Sequence, residues 1–320
     1  MATKILILST LFCCLFGLQL LAQERFVTAN YYLDDFVLNP SLAGRESGCR
    51  KLRLSARQQW LGLPSAPGSQ FFSYNQGVSK HWGVGAYFFN DENGATGKSG
   101  VHLALAWHAS IHDYDELSLG IGLSGWQRSF AITESALGIS DPALAAAQKA
   151  SFWGTANFGL FYATNVGFFS SLSVQSLATV NSELPATEPA IPRSVQVMAG
   201  YRFVSRSGRI RYIPSVLLAA DDLAQIEFHV NNQLELKLRD PEQSVALGLS
   251  VLVRKQATMM TLFQPMIGYR NRALDFRYIY EFSPSKTAFS IVGAHCLSVG
   301  IRICGNVRRT SYCRAYGLYE

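Results

Sequence analysis

Hydrophobic and polar residues alternate along the segment IEFHVNNQLELKL, residues 226–238. The even positions from Ile226 to Leu238 are apolar except for Asn232, whereas the odd positions from Glu227 to Lys237 are polar. A strand keeps two such sets on opposite faces, because its side chains alternate with a period of two, while the helical period of about 3.6 residues would mix them. The pattern predicts a strand whose apolar face contacts either a protein core or lipid.

The same alternation recurs along the chain in segments of about ten residues, separated by Gly, Asn, Asp, Pro or Ser. In each segment one set of positions is rich in Leu, Val, Ile and aromatic residues; the other is rich in Gly, Ala, Ser and His in several segments and carries charged or amide residues in 226–238 and 274–282. Fourteen antiparallel up-and-down strands are predicted, at approximately 52–60, 69–78, 82–90, 99–110, 115–128, 152–164, 167–177, 194–204, 209–218, 224–235, 244–254, 260–270, 273–282 and 289–302.

The links between these strands alternate between short and long. Short links fall at 79–81, 111–114, 165–166, 205–208, 238–243 and 271–272, and the longer links include 61–68, 90–98, 129–151 and 178–193. A Greek-key sandwich has no reason to separate its loops in this way, whereas an outer-membrane barrel has short periplasmic turns on one rim and longer external loops on the other. Closure also removes the unpaired edges of an open sheet. We therefore expect an all-β fold, a transmembrane outer-membrane β-barrel, with both chain ends in the periplasm.

Export is predicted by the amino terminus. Lys4 precedes an apolar run from Ile5 to Leu21, and the small residue Ala22 suits cleavage of a signal peptide. Lipidation at a cysteine of this run is the alternative, but the bulky Phe12 before the first cysteine disfavours it. The expected organisation is a signal peptide at 1–22, a periplasmic leader or plug segment at 23–50, a transmembrane barrel at 51–303 and a periplasmic tail at 304–320.

Composition agrees with a membrane barrel. Hydrophobic residues make up 48% of the chain and charged residues only 16%, against about 25% charged in soluble domains. Beyond the signal no apolar run is long enough for a membrane-spanning helix. Seven aromatic residues near predicted strand ends suit the interfacial girdles of such barrels: Trp60, Trp82, Trp107, Trp126, Trp153, Tyr278 and Tyr280.

Candidate chemistry is sparse, and we expect no enzyme, no cofactor and no metal. Gly120, Gly122 and Gly125 have dinucleotide-motif spacing but lie inside a predicted strand, so they indicate a smooth inner wall instead. The histidines at 102, 108 and 112 are too far apart on an extended chain to chelate one ion locally. No G-x-S-x-G elbow is present, which leaves an outer-membrane hydrolase as a remote third hypothesis.

Four cysteines remain after signal removal, at positions 49, 296, 304 and 313. An oxidising envelope permits disulfides, and Cys304 and Cys313 could close a small loop in the tail. Free thiols or other pairings are the alternatives.

Three motifs in the first hundred residues resemble, in order and spacing, the amino-terminal half of the PorP/SprF family of type IX secretion system membrane proteins. The first is FVLNPSLAG, the second RQQWLGLPSAPG and the third NDENGATGKSG. The matching positions are Asn39, Pro40, Ala43 and Gly44; Arg57, Gln59, Trp60, Gly62, Ala66 and Pro67; and Asn90, Asp91 and Gly94. The ending AHCLSVGIRI is similar to the family's last strand, whereas the basic tail after it and the 129–151 segment depart from the pattern.

The resemblance implies an outer-membrane barrel of the type IX system that assists secretion or surface anchoring of cargo with a carboxy-terminal sorting domain, in some relatives for gliding motility. The implied partners are the periplasmic ring and lipoprotein components, secreted cargo and outer-membrane lipid, with no nucleic acid. Partner contact is assigned to the aromatic leader, with Tyr31 and Tyr32 as candidates. The alternative is a transporter or pore for small or hydrophobic solutes, although the inward positions lack an evident charge ladder for solute selection.

Overall fold

The computed structural model describes residues 33–63, 65–111, 114–130, 151–182, 191–240, 242–255, 259–284 and 293–304. Within these residues the chain forms a closed antiparallel barrel, in which strands adjacent in the chain are paired, except that two consecutive short strands both pair with the strand after them, and the last strand pairs with the first. No helix in the described part of the chain is long and apolar enough to cross a membrane.

The strands follow one another around the barrel in chain order. They are β1 (Cys49–Gln59), β2 (Gly68–Gly77), β3 (Trp82–Asn93), β4 (Thr96–Ile111), β5 (Asp115–Phe130), β6 (Ser151–Ala163), β7 (Phe168–Ser182), β8 (Ser194–Tyr201), β9 (Phe203–Val204), β10 (Ile210–Asp221), β11 (Ile226–Lys237), β12 (Gln243–Lys255), β13 (Met259–Asn271), β14 (Leu274–Glu281) and β15 (Ala294–Cys304). Since β8 and β9 both pair with β10 in one register, they share one position. The barrel therefore has the predicted fourteen strands.

The break between β8 and β9 has a local cause in the neighbouring strand. Pairing stops after Ser215 opposite Gly200 and resumes at Tyr212, and Pro214 of β10 lies in this gap. Proline has no amide hydrogen to donate to the ladder. On the side of β7, the amide of Arg202 donates to the carbonyl of Gly167, at 2.9 Å.

Alternate side chains point out of the barrel and into its lumen, as the sequence pattern predicts. In β11 the side chains of Ile226 and Phe228 are exposed, at 41% and 42%, whereas Glu227 and His229 are buried, at 1% and 0%. The outward set forms the apolar belt that faces lipid in an outer-membrane barrel. The polar set of β11 lines the lumen.

Asn232, the polar exception in this pattern, lies on the outer face. Its side-chain oxygen accepts a hydrogen bond of 2.6 Å from the hydroxyl of Tyr212 on the adjacent strand. This bond lowers the cost of a polar group on an apolar face, because the amide oxygen has a partner.

The longest links lie on one rim, as predicted, although three links of that rim, 94–95, 222–225 and 256–258, are short. We call the rim with links 78–81, 112–114, 164–167, 205–209, 238–242 and 272–273 the turn rim, and the opposite rim the loop rim. The loop rim carries the longest links, 131–150, 183–193 and 282–293. One prediction for this rim is wrong: 90–98 is not a long loop. β3 and β4 pair as far as Asn93 opposite Thr96, and Gly94, at φ +61°, makes the tight turn between them.

A disulfide closes the barrel. Cys49 and Cys304 are directly opposite in the pairing of β1 with β15, with Cα atoms 4.0 Å apart, and their sulfurs are bonded. The predicted pairing of Cys304 with Cys313 is therefore wrong, because the closing strands place Cys49 beside Cys304. Cys313 lies outside the described residues. The first and last strands reach Cys49 and Cys304, slightly beyond the predicted barrel bounds.

The aromatic girdle prediction holds for some residues and is wrong for two. Trp82, Trp107 and Tyr278 are exposed outward, at 47%, 37% and 38%. Trp126 and Trp153 are buried, at 6% and 2%, and their rings stack in the lumen with centroids 5.7 Å apart. Both residues occupy inward positions of the alternating pattern on β5 and β6. This alternation predicts the side-chain direction better than nearness to a strand end does.

Candidate functional site

Residues 33–48, which we call the plug, lie inside the barrel ahead of β1. The plug contains two short 3-10 turns, Asp35–Val37 and Pro40–Leu42. Asp34 and Asn39 cap these turns, because each side chain accepts a hydrogen bond from an amide two residues later. Proline at the first position of the second turn supplies a suitable φ.

Asn39 uses both polar side-chain atoms, the oxygen within the plug and the nitrogen toward the barrel wall. Its oxygen accepts from the amide and the hydroxyl of Ser41, at 2.9 and 2.6 Å. Its nitrogen donates to the carbonyls of Leu160 on β6, at 2.9 Å, and Leu172 on β7, at 3.3 Å. With a relative exposure of 1%, Asn39 avoids the cost of an unpaired buried amide.

Glycines of the inner wall make room for the plug. A Cβ atom on Gly120 would lie 2.3 Å from the amide nitrogen of Ser41, and one on Gly159 would lie 1.9 Å from the side-chain oxygen of Asn39. A Cβ on Gly83 would lie 2.1 Å from the carbonyl oxygen of Ala43. Of the glycines predicted to form a smooth inner wall, Gly120 and Gly122 face the lumen beside the plug, whereas Gly125 lies on the outer face, where a Cβ atom would be 3.1 Å from the ring of the exposed Phe152.

Gly44 is required by its own conformation as well as by close contact. Its φ is +59°, a region that L residues rarely adopt, and a Cβ atom would lie 2.1 Å from the carbonyl oxygen of Gln76.

Ionic and polar contacts hold the plug on both sides of Gly44. Arg45 makes a two-pronged salt bridge to Glu116 on β5, with two N–O distances of 2.8 Å, and its guanidinium lies over the ring of Phe161. His108 donates from Nε2 to the carbonyl of Ala43, at 3.0 Å. Paired Arg and carboxylate groups of this kind are strong, directional contacts.

The plug also buries apolar side chains against one side of the lumen. Phe36 packs in a cluster that includes Phe71, Tyr87 and both inward tryptophans. Leu38 and Leu42 pack with residues of β6 to β10, namely Phe161, Ala163, Phe169, Met198 and Leu217. This half of the lumen is a packed core, which makes the plug part of the fold.

The opposite half of the lumen is charged, which corrects the expectation that no charge ladder is present. Asp275 of β14 contacts three arginines, with N–O distances of 3.6 Å to Arg53, 2.9 Å to Arg270 and 2.9 Å to Arg277. Arg270 also pairs with Glu235 at 3.0 Å. The sequence already indicated charged lumen positions, because these residues alternate with outward apolar residues.

Nearer the loop rim, two further ion pairs line the lumen. Arg57 of the second motif contacts Glu281 of β14 at 2.5 Å, reaching across β15. Arg254 contacts the buried Glu227 at 2.8 Å. Arg57 thus joins strands on both sides of the barrel closure.

The other residues of the second motif shape the first loop. The amide of Gln59 donates to the carbonyl of Pro67, at 2.9 Å. Trp60 begins the loop with φ +50°, and its carbonyl accepts from the amide of Leu63. Gly62 has φ +95°, where a side chain would be strained.

The third motif lies at the loop-rim ends of β3 and β4. Asp91 accepts a hydrogen bond from the hydroxyl of Ser69 on β2, at 2.5 Å, and Asn90 donates to Glu92 at 3.1 Å. With Gly94 in the turn, these residues have structural contacts and do not converge with the plug.

The histidines of β4 contact hydroxyl groups of β5. Nδ1 of His102 lies 2.7 Å from the Ser124 hydroxyl, and Nδ1 of His108 lies 2.8 Å from that of Ser118. His112 lies outside the described residues, as do Tyr31 and Tyr32. In the described part of the chain, the candidate metal group is Glu46, Cys49 and Cys304, whose two sulfurs are committed to the disulfide.

Solved barrels share the fold at low sequence identity. The CymD monoaromatic hydrocarbon channel has a TM-score of 0.52 and 8% identity, over 87% of this chain and 92% of that chain. CdiB from Acinetobacter baumannii has a TM-score of 0.47 and 9% identity over 80% of this chain, which spans about 60% of the CdiB chain. At these identities the likeness to CymD concerns the fold alone.

Sequence comparison gives one family. The family model described as type IX secretion system membrane protein PorP/SprF matches residues 20–301. No curated protein sequence matches the chain.

Proposed function

Because the chain belongs to the PorP/SprF family of type IX secretion system membrane proteins, we propose that this outer-membrane barrel assists secretion or surface anchoring of cargo that bears a carboxy-terminal sorting domain. Its partners would be that cargo and the periplasmic ring and lipoprotein components of the system. The turn rim, where the described residues begin at Leu33 and end at Cys304, would face the periplasm, and the loop rim would face the exterior.

The observation that carries this proposal is the docking of the first family motif inside the barrel. Asn39, Pro40 and Gly44 lie on a wall of glycines, so the motif serves to hold a folded segment in the lumen. A barrel filled in this way is suited to presenting surfaces to other proteins more than to passing solutes.

The second candidate function is a pore for small or hydrophobic solutes, and the charged half of the lumen is the observation that favours it. Conductance of the purified protein in planar bilayers separates the two. We expect small or no currents while the plug is in place, and large stable currents would favour the pore.

Partner contact by the leader is tested by changing Tyr31 and Tyr32 together to Ala. We expect the variant to remain folded, as judged by heat-modifiable gel mobility, and to recover fewer envelope partners in affinity pull-downs. A folded variant that recovers the same partners and secretes normally would exclude the leader as the docking element.

A further inference from the structure

A cavity of about 230 Å³ lies at the turn-rim end of the lumen, between the plug and the barrel wall. Its position follows from the strand ends: Lys51 and Arg302, which line it, each lie two residues inside Cys49 and Cys304. Leu33, the first described plug residue, also contributes to its wall. We call it the turn-rim cavity.

The turn-rim cavity has one apolar side and one charged side. The apolar side comes from β6 to β10 and consists of Phe161, Phe169, Met198 and Ile213, whereas Leu33 of the plug packs with Met266, Ile279 and Cys296 of β13 to β15. The charged side comes mostly from β11 to β15 and β1, and includes Lys51, Arg53, Glu235, Arg270, Asp275, Arg277 and Arg302. A ligand that fits it must therefore combine apolar and charged groups.

Positive charge exceeds negative charge around the cavity. Among the described residues, seven basic side chains line it, including Arg45 and Arg202, against the four carboxylates of Asp34, Asp35, Glu235 and Asp275. Outside the lining, Glu116 pairs with Arg45, and Glu46 pairs with Lys51 and Arg302, so the excess is one positive charge once these partners are counted. Asp275 is shared by three guanidinium groups. In a low-dielectric enclosure such an excess attracts anions, with a potential larger than in open water.

The route into the cavity indicates whether its ligand comes from the bilayer or from water. On the charged side paired strands form its wall, and β13 and β14 pair without a break from Met266 to Asn271, whereas on the apolar side the pairing of β10 is interrupted between Ser215 and Tyr212. The charged side therefore offers a bilayer lipid no lateral entrance, and a charged ligand reaches it from the turn rim and its aqueous compartment. A ligand that arrives from water and carries both acidic and apolar groups is more easily a peptide than a lipid.

We propose that the turn-rim cavity binds an extended acidic peptide segment in which carboxylates alternate with apolar side chains. In an extended peptide, successive side chains point to opposite sides. Carboxylates would thus contact the arginine side while apolar side chains pack against Phe161, Phe169 and Met198. The proposal stands on the cavity alone, so its failure leaves the proposed secretion role intact.

The test uses the full chain, purified in detergent, and a fluorescently labelled peptide of alternating aspartate and leucine. We expect saturable binding that weakens as salt is added, and at least about tenfold weaker binding of the same peptide with asparagine for aspartate. Equal affinity for the two peptides, or no binding of the aspartate peptide, overturns the proposal. A lysophospholipid that binds where the aspartate peptide does not would assign the cavity to lipid instead.

Variants locate the site. Arg277→Gln and Arg302→Gln are each expected to weaken peptide binding about tenfold. Arg254→Gln is the matched control, because Arg254 pairs with Glu227 nearer the loop rim and does not line the cavity. Equal loss in the control overturns the assignment. The comparison of the two peptides on the unaltered protein decides the proposal even where a glutamine variant fails to fold.

Discussion

The side-chain nitrogen of Asn39 donates a hydrogen bond of 2.9 Å to the backbone carbonyl of Leu160. This contact joins the plug to a strand 121 residues later in the chain. The neighbouring Gly159 leaves the space that the Asn39 side chain needs. The family motif and the glycines of the inner wall therefore act as one docking surface.

Gly159→Ala should disturb this docking, because the added methyl group would overlap the side-chain oxygen of Asn39. Overpacking of this kind costs about 1–3 kcal/mol, which a urea titration of the refolded protein should detect as a lower midpoint. Displacement of the plug should also raise single-channel conductance. Gly154→Ala on the same strand is the control, since its nearest neighbour would be 3.7 Å away. If both variants behave alike, the close contact at Gly159 does not hold the plug.

Leu249→Arg tests the lipid-facing surface. Leu249 points outward at 44% exposure, and a charge at this depth on a barrel's outer face should cost about 2–4 kcal/mol. Leu249→Ala controls for lost side-chain volume. The neighbouring Ser250 is buried in the lumen and donates to Asn231, so Ser250→Arg should be limited by space. Equal tolerance of Arg and Ala at position 249 in a refolding titration would contradict lipid contact.

The disulfide gives a third prediction. Cys49→Ser or Cys304→Ser should lower unfolding stability by about 2–5 kcal/mol, because the crosslink closes most of the chain into a loop. The measurement is denaturant unfolding under non-reducing conditions, with Cys313→Ser as the control that should change little. Loss of stability in Cys313→Ser with no effect of Cys49→Ser would restore the pairing with the tail.

The orientation in the membrane is tested with two isosteric substitutions at exposed positions. Ser65→Cys lies in the first loop of the loop rim and Ser207→Cys in a short link of the turn rim. An impermeant thiol reagent on intact cells should label the former and not the latter. Labelling of position 207 with protection of position 65 would invert the barrel.

Much of the fold was predictable because one strand face is apolar and the other is not. The two-residue period located all fourteen strands and the faces of β11. It also carried the information that Trp126 points inward, since Trp126 shares the parity of Gly120 and Gly122; proximity to a strand end was the weaker signal. The tight turn at Gly94 was missed because polar, glycine-rich ends of β3 and β4 resemble a loop.

Contacts between distant parts of the chain were harder to predict. The bond between Cys49 and Cys304 depends on closure of the first strand against the last, whereas sequence spacing favours nearby cysteines. The charges at Asp275 and Arg277 were visible on the inward face of β14. Arg53, which also contacts Asp275, comes from β1, so the network appears only when the barrel closes.

The central claim is that this barrel serves type IX secretion, and the most direct test is to delete its gene and follow a cargo with a carboxy-terminal sorting domain. Cell-surface labelling and periplasmic fractionation should show the cargo missing from the surface and retained in the periplasm, with both restored by the intact gene. Growth on individual nutrients should be unchanged. Normal display of every such cargo, together with a growth defect on a particular solute, would contradict the account and favour a transporter.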